Sequence, residues 1–105
     1  MNVTMLGTGA PLHPIRAGTG LLIQAEGLEP LLIDTCGGLE LARQLALVKQ
    51  PIESIRHVVL THKHGDHIGG VMALALARVP CTYYGLADTL KAAQELIKTT
   101  YGEYD

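Results

Sequence analysis

The chain has 105 residues, a length that suits one small domain or part of a larger one. Eight Lys plus Arg against ten Asp plus Glu leave a formal charge of −2, so nucleic-acid binding through bulk positive charge is excluded, though not a nucleic-acid substrate held by a few contacts. Charged residues are 17% and hydrophobic residues 48% of the chain, which excludes disorder over most of it.

In chain order, residues 2–6 read as a first strand that ends in Gly7-Thr-Gly-Ala-Pro11, a turn-rich loop running on through Pro14 and Gly18. Residues 21–25 and 31–34 are two β-compatible apolar runs, and residues 26–30 between them suit a hairpin connection. A loop at 35–38 opens onto a helix over 39–49, which Pro51 ends; a short helical piece follows at 52–55. Residues 57–60 predict a buried strand, 61–67 a polar loop, 68–78 a very apolar helix and 80–84 another strand. Asp88 is placed to cap a last helix, with Leu90, Ala93, Leu96 and Ile97 on one stripe and Gly102 just past its end. Strands alternating with helices indicate an α/β layer arrangement with a mixed sheet and flanking helices.

The two helices at 39–48 and 68–77 have few or no polar positions, which predicts that further protein covers them. No run approaches the roughly 18 apolar residues of a membrane helix, and the first residues show no basic region or cleavage pattern. Two cysteines, Cys36 and Cys81, make no disulfide framework. The expectation is a soluble cytoplasmic domain without membrane association.

Three of the five histidines fall within Thr61-His-Lys-His-Gly-Asp-His67. In extended chain, residues i and i+2 share a side, so His62 and His64 converge. Asp66 follows, and Gly65 is expected to let the backbone turn tightly and bring His67 beside it. Imidazole nitrogen and carboxylate oxygen are ligands for zinc, and also for iron or manganese. Four such donors in six residues after a buried strand point to a metal rather than to a solvated loop. Asp34 closes an apolar strand and either orients a ligand imidazole from behind or caps a strand end. Thr61 either hydrogen-bonds near the site or sits where β-branched residues prefer, the second being the default. His57, five residues before His62, lies about 16 Å away along extended chain and reads as a surface residue. His13 has a solvated loop as its default and substrate contact as its alternative. Cys36 and Cys81 read as small buried thiols, and Gly7-Thr-Gly9 as a structural turn.

Thr61-His62-Lys-His64-Gly-Asp66-His67 resembles the His-x-His-x-Asp-His signature of the metallo-β-lactamase fold. Val3-Thr-Met-Leu-Gly-Thr-Gly-Ala-Pro11, Leu31-Leu-Ile-Asp34 and the pair Gly69-Gly70 resemble its other landmarks. The Leu-Gly-Thr-Gly-x-Pro start with Arg16 after it is most similar to the branch that holds ribonuclease Z, phosphodiesterases and arylsulfatase-like hydrolases. At 36–39 the chain has Cys-Gly-Gly-Leu where ribonuclease Z usually has Gly-Glu-Gly-Thr. The resemblance implies one half of an αβ/βα sandwich, with residues 1–105 as a single, incomplete N-terminal half. It implies His62 and His64 on a first metal and Asp66 and His67 on a second, zinc before manganese or iron, with Asp66 also orienting or deprotonating the attacking water. The implied function is hydrolysis of a phosphodiester, sulfate ester or similar anionic ester, on a small-molecule or nucleotide substrate. Two alternatives stay open: an iron-dependent oxidoreductase or thiol-metabolising enzyme, and a non-catalytic metal-binding or interaction module. The family completes its site with downstream ligands, and residues 68–105 contain no histidine. A complementary C-terminal half or a homo-oligomer is therefore the expected partner, and the chain alone is expected to be inactive.

Overall fold

The structure is a computed structural model that describes residues 1–9 and 17–102. Five strands form one sheet in sequential order: β1 (Asn2–Gly7), β2 (Gly20–Gln24), β3 (Leu31–Ile33), β4 (His57–Val59) and β5 (Thr82–Tyr84). The first two pairings are antiparallel, as hairpin-like connections allow, and Gly27 takes a positive φ of 79° in the β2–β3 turn. The last two pairings are parallel, and each needs a crossover. Helix α1 (Glu40–Leu47) and a 3-10 turn (Ile52–Ser54) make the first; α2 (Gly65–Ile68) and α3 (Val71–Leu76) make the second. The last helix, α4 (Ala87–Tyr101), packs on α3. The sheet is thus mixed and the architecture α/β, as the strand and helix order predicts.

Alternation decides which face is inside. Leu22, Leu32 and Val58 stand opposite one another across β2, β3 and β4 and are all buried. They share a core with Leu41 and Leu45 of α1, Val71, Ala73 and Leu74 of α3, and Ala93 of α4. Removing one such leucine from water contributes about 1.5–3 kcal/mol. The alternate row, on the other face, is also apolar: Val3, Met5, Leu21, Ile23, Leu31, Ile33 and Val59. There Val3 is 54% and Met5 57% exposed, and the other five are only partly buried. The sheet therefore has one covered and one uncovered apolar face. The sequence placed the uncovered surface on the helices; they do expose Leu47, Val48 and Leu76, but the continuous part lies on the sheet. Periodicity does not reveal it, because a strand apolar on both faces reads simply as apolar.

Three local expectations are corrected. The run 68–78 is not one helix, since α2 begins inside the expected polar loop and Gly69-Gly70 separates it from α3. Asp88 is not the cap of α4; Leu86 holds that position without a side-chain bond, and Asp88 lies in the first turn. The turn expected at Gly65 is an ordinary helical one that does not require glycine: Gly65 starts α2, and nothing stands within 4 Å of where its Cβ would be. Among the described residues no helix is long and apolar enough to cross a membrane.

Gly70 is one of the glycines whose missing side chain the packing requires. A Cβ there would stand 1.8 Å from the carbonyl oxygen of Thr35, so the β3–α1 loop could not lie against the start of α3. Gly70→Ala is expected to destabilise the chain by about 1–3 kcal/mol, the usual cost of overpacking. Gly65→Ala is expected to stay within about 0.5 kcal/mol of the parent. Urea unfolding curves of the two variants check both values; equal midpoints would contradict the packing described.

Candidate metal centre

Parallel strands β3 and β4 end side by side, and the site grows from those two ends. The Asp34 N–H donates to the Val59 carbonyl at 2.8 Å, and the Leu60 N–H to that of Tyr84 at 2.9 Å, so the chain stays fixed just past the strands. Asp34 has a positive φ of 59°, a conformation that Asp tolerates better than most residues. The turn directs its carboxylate toward Thr61, at the end of β4. There Oδ1 accepts the Thr61 N–H at 2.8 Å, and Oδ2 accepts the Thr61 hydroxyl at 2.7 Å. The same Oδ2 lies 2.8 Å from Nδ1 of His67. Asp34 is only 2% exposed, so these partners take the place of water around its charge.

His67 is held from two sides. Its carbonyl oxygen accepts both the N–H and the hydroxyl of Thr35, each at 2.7 Å. Its Nδ1 meets Asp34, and because a carboxylate can only accept, Nδ1 carries the proton. The free Nε2 faces Oδ2 of Asp66 at 3.4 Å. Glycine lets the chain close around this segment: a Cβ on Gly18 would stand 2.6 Å from the Asp66 carbonyl oxygen. His62 lies against His67 with ring centroids 3.9 Å apart, and His64 meets His62 edge-on at 4.8 Å. The structure thus brings His62, His64, Asp66 and His67 together beyond the carboxyl end of β4, where open α/β sheets bind ligands.

The donor chemistry fits a divalent metal. Two donors on a tetrahedral zinc, each about 2.1 Å from the ion, stand ~3.4 Å apart. Nε2 of His67 and Oδ2 of Asp66 have that separation. A neutral ring and an ionised carboxylate would face each other with lone pairs, an arrangement that a shared proton or a cation relieves. Among the described residues, no group of three His, Cys, Asp or Glu stands in a metal-holding arrangement. The donor separation that fits one ion is that of His67 and Asp66.

Of the two readings of Asp34, its position at a strand end and its hold on a histidine are both seen. The default for Thr61 is overturned: its hydroxyl is a hydrogen-bonding member of the cluster. Thr35 and Gly18 were missed; a threonine and a glycine in loops give no signal until the loops are seen against α2. His57 lies at the opposite end of β4, between the Tyr84 hydroxyl at 3.0 Å and Glu29 at 3.2 Å, away from the cluster. Cys36 is fully buried, and the Cys81 thiol points to the Ile55 carbonyl oxygen. Gly7 is the last residue of β1 rather than part of a turn, and a Cβ there would meet the Gly18 carbonyl oxygen. His13 and Arg16 lie outside the described residues.

Comparison with known proteins gives the family and the fold. Residues 15–102 match the Metallo-beta-lactamase superfamily. A ribonuclease Z of Methanococcus maripaludis is 30% identical over 112 residues, an alignment that covers 100% of this chain and 35% of that protein. Human tRNase Z, short form, superposes with a TM-score of 0.76 at 30% identity, over 96% of this chain and 40% of the human one. Zn(2+)-bound PqqB from Methylobacterium extorquens shares the fold with a TM-score of 0.75 at 19% identity, over 98% of this chain and 44% of that one. The chain thus spans about a third of the length of the curated relative.

Burial pushes the Cys36 thiol up to about 12, with the nearby charges of Glu40 and Asp34 adding to the effect. The folded chain therefore holds this proton more tightly than the unfolded chain, whose thiol titrates near 9. The resulting stability is fully present below pH 9 and is lost as pH rises toward about 12. Cys81 and Tyr83 are raised by burial in the same direction. Denaturant midpoints are expected to fall through this range, with a shallower slope in Cys36→Ala. An unchanged slope in that variant would contradict the assignment.

Proposed function

The chain belongs to the metallo-β-lactamase superfamily, and from that premise we propose that it carries the first half of a metal-dependent hydrolase site that acts on phosphodiesters or similar anionic esters. The observation that carries this reading is the pair formed by His67 Nε2 and Asp66 Oδ2, spaced as two ligands of one ion and fixed from behind by Asp34. His62 and His64 would hold one divalent ion, zinc before manganese or iron, and Asp66 and His67 a second. Such ions supply Lewis acidity that makes a water nucleophilic near neutral pH.

The chain's own residues have separate tasks. Asp34 keeps the proton of His67 on Nδ1, which leaves Nε2 as a donor. Asp66 has a second carboxylate oxygen, which would accept a proton from the attacking water or orient it. Thr35 holds the His67 backbone, so the ring cannot leave by a shift of α2. The ribonuclease Z and tRNase Z relatives favour a phosphodiester substrate over a sulfate ester. Residues 36–39, Cys-Gly-Gly-Leu, keep the tRNA-processing reading apart from this broader one.

Two donors for each ion are fewer than the three protein ligands usual at catalytic zinc. On this reading the site is completed by a complementary α/β half, packed on the sheet face that carries Val3, Met5, Leu21 and Ile23. This chain covers 40% of the solved tRNase Z chain, so more than half of that chain lies outside the match. The 105-residue chain with zinc or manganese is expected to turn over a chromogenic phosphodiester poorly, and to gain activity when a second-half fragment is added. Asp66→Ala is expected to abolish the gain and to weaken zinc binding at least about tenfold, measured against a chromophoric chelator. A stable monomer with an enzymatic rate would contradict the half-site reading, and unchanged zinc affinity in Asp66→Ala would contradict the role of Asp66.

A further inference from the structure

The Asp34 carboxylate touches one histidine directly, but its hydrogen bonds do not stop there. The Thr61 hydroxyl is 2.7 Å from Asp34 Oδ2 and 3.1 Å from Nδ1 of His62. A hydroxyl has one proton to give, and a carboxylate can only accept. The shorter contact therefore uses that proton, because otherwise two acceptor oxygens would face each other at 2.7 Å with none between them. The longer contact must then run the other way, with His62 Nδ1–H donating to Oγ1. The Thr61 N–H also donates to Oδ1 of the same carboxylate, so threonine and aspartate are joined at two points.

We propose that Thr61 is a positioning residue that extends the hold of Asp34 to His62, so that one buried carboxylate sets the ring tautomer of two histidines. His67 is set directly and His62 through the hydroxyl; both carry the proton on Nδ1 and present Nε2. The two rings lie 3.9 Å apart and belong to different ions in the function proposed above, so one carboxylate prepares a donor for each. His64 has no such partner among the described residues, only its edge-on contact with His62. The value of the arrangement to a metal rests on the functional reading above; the tautomers themselves do not.

The test uses the metal-free, 15N-labelled chain at about pH 8, above the ordinary histidine range, where long-range 1H–15N spectra report which ring nitrogen carries the proton. His62 and His67 are expected in the Nδ1–H form in the parent. Thr61→Val, nearly isosteric at an exposed position, is expected to release His62 into a mixture of tautomers and leave His67 unchanged. Thr61→Ser, which keeps the hydroxyl, is expected to restore His62. Zinc affinity is expected to weaken about 10–100-fold in Thr61→Val and to recover in Thr61→Ser. His62 found as Nε2–H in the parent would overturn the proposal even if the valine variant failed to fold, and so would a His62 tautomer unmoved by the valine. Expected tautomers in a parent chain that binds no zinc would support the hold of Thr61 and contradict the metal reading instead.

Discussion

Everything near the site depends on one carboxylate kept out of water. Asp34 sits at 2% exposure just past β3, and its charge is accommodated by donors from two other segments: Thr61 after β4 and His67 in α2. Leaving such a group without partners would cost more than 1–3 kcal/mol, because it is charged. The three segments are therefore tied in register by a requirement that none of them can satisfy alone. The strand ends, the extended stretch with His62 and His64, and the short helix with Asp66 and His67 all meet there.

That tie has a backbone cost, which the packing holds in place. Asp34 and Cys36 both have positive φ values, 59° and 61°, at about 1–2 kcal/mol per residue. The loop with these values brings the Thr35 carbonyl within reach of Gly70 only because that residue has no Cβ. It also places the Thr35 N–H and hydroxyl on the His67 carbonyl oxygen. Cys36 is fully buried in the core, and burial, with the charges of Glu40 and Asp34, makes it hold its proton more tightly. Backbone strain, glycine contact and buried carboxylate are thus parts of one local solution, found at the end of the sheet where the candidate chemistry lies.

The sequence carried much of this. The five strands, α1, α4 and the grouping of His62, His64, Asp66 and His67 were legible, because periodicity and ligand spacing are local properties. Gly65 was expected to permit a tight turn, and the chain does turn there, but the start of α2 brings Asp66 and His67 round with ordinary helical geometry that needs no glycine. Thr61 was legible as a member of the site only as the lesser of two readings, and Thr35 not at all. Their roles come from partners 27 and 32 residues away in the chain, which only parallel pairing of β3 and β4 makes neighbours. The uncovered sheet face was likewise hidden, since a strand apolar on both sides does not say how many layers will cover it.

The central claim is that the Asp34-held cluster is a metal centre and not only a polar network. An anomalous-difference map from crystals of the chain grown with zinc tests this most directly. The account predicts a peak about 2.1 Å from both His67 Nε2 and Asp66 Oδ2. The chain contains its own control, the exposed pair His57–Glu29 at 3.2 Å, a histidine and a carboxylate with no buried group behind them. Zinc at His57–Glu29 with none at His67–Asp66 would contradict the account.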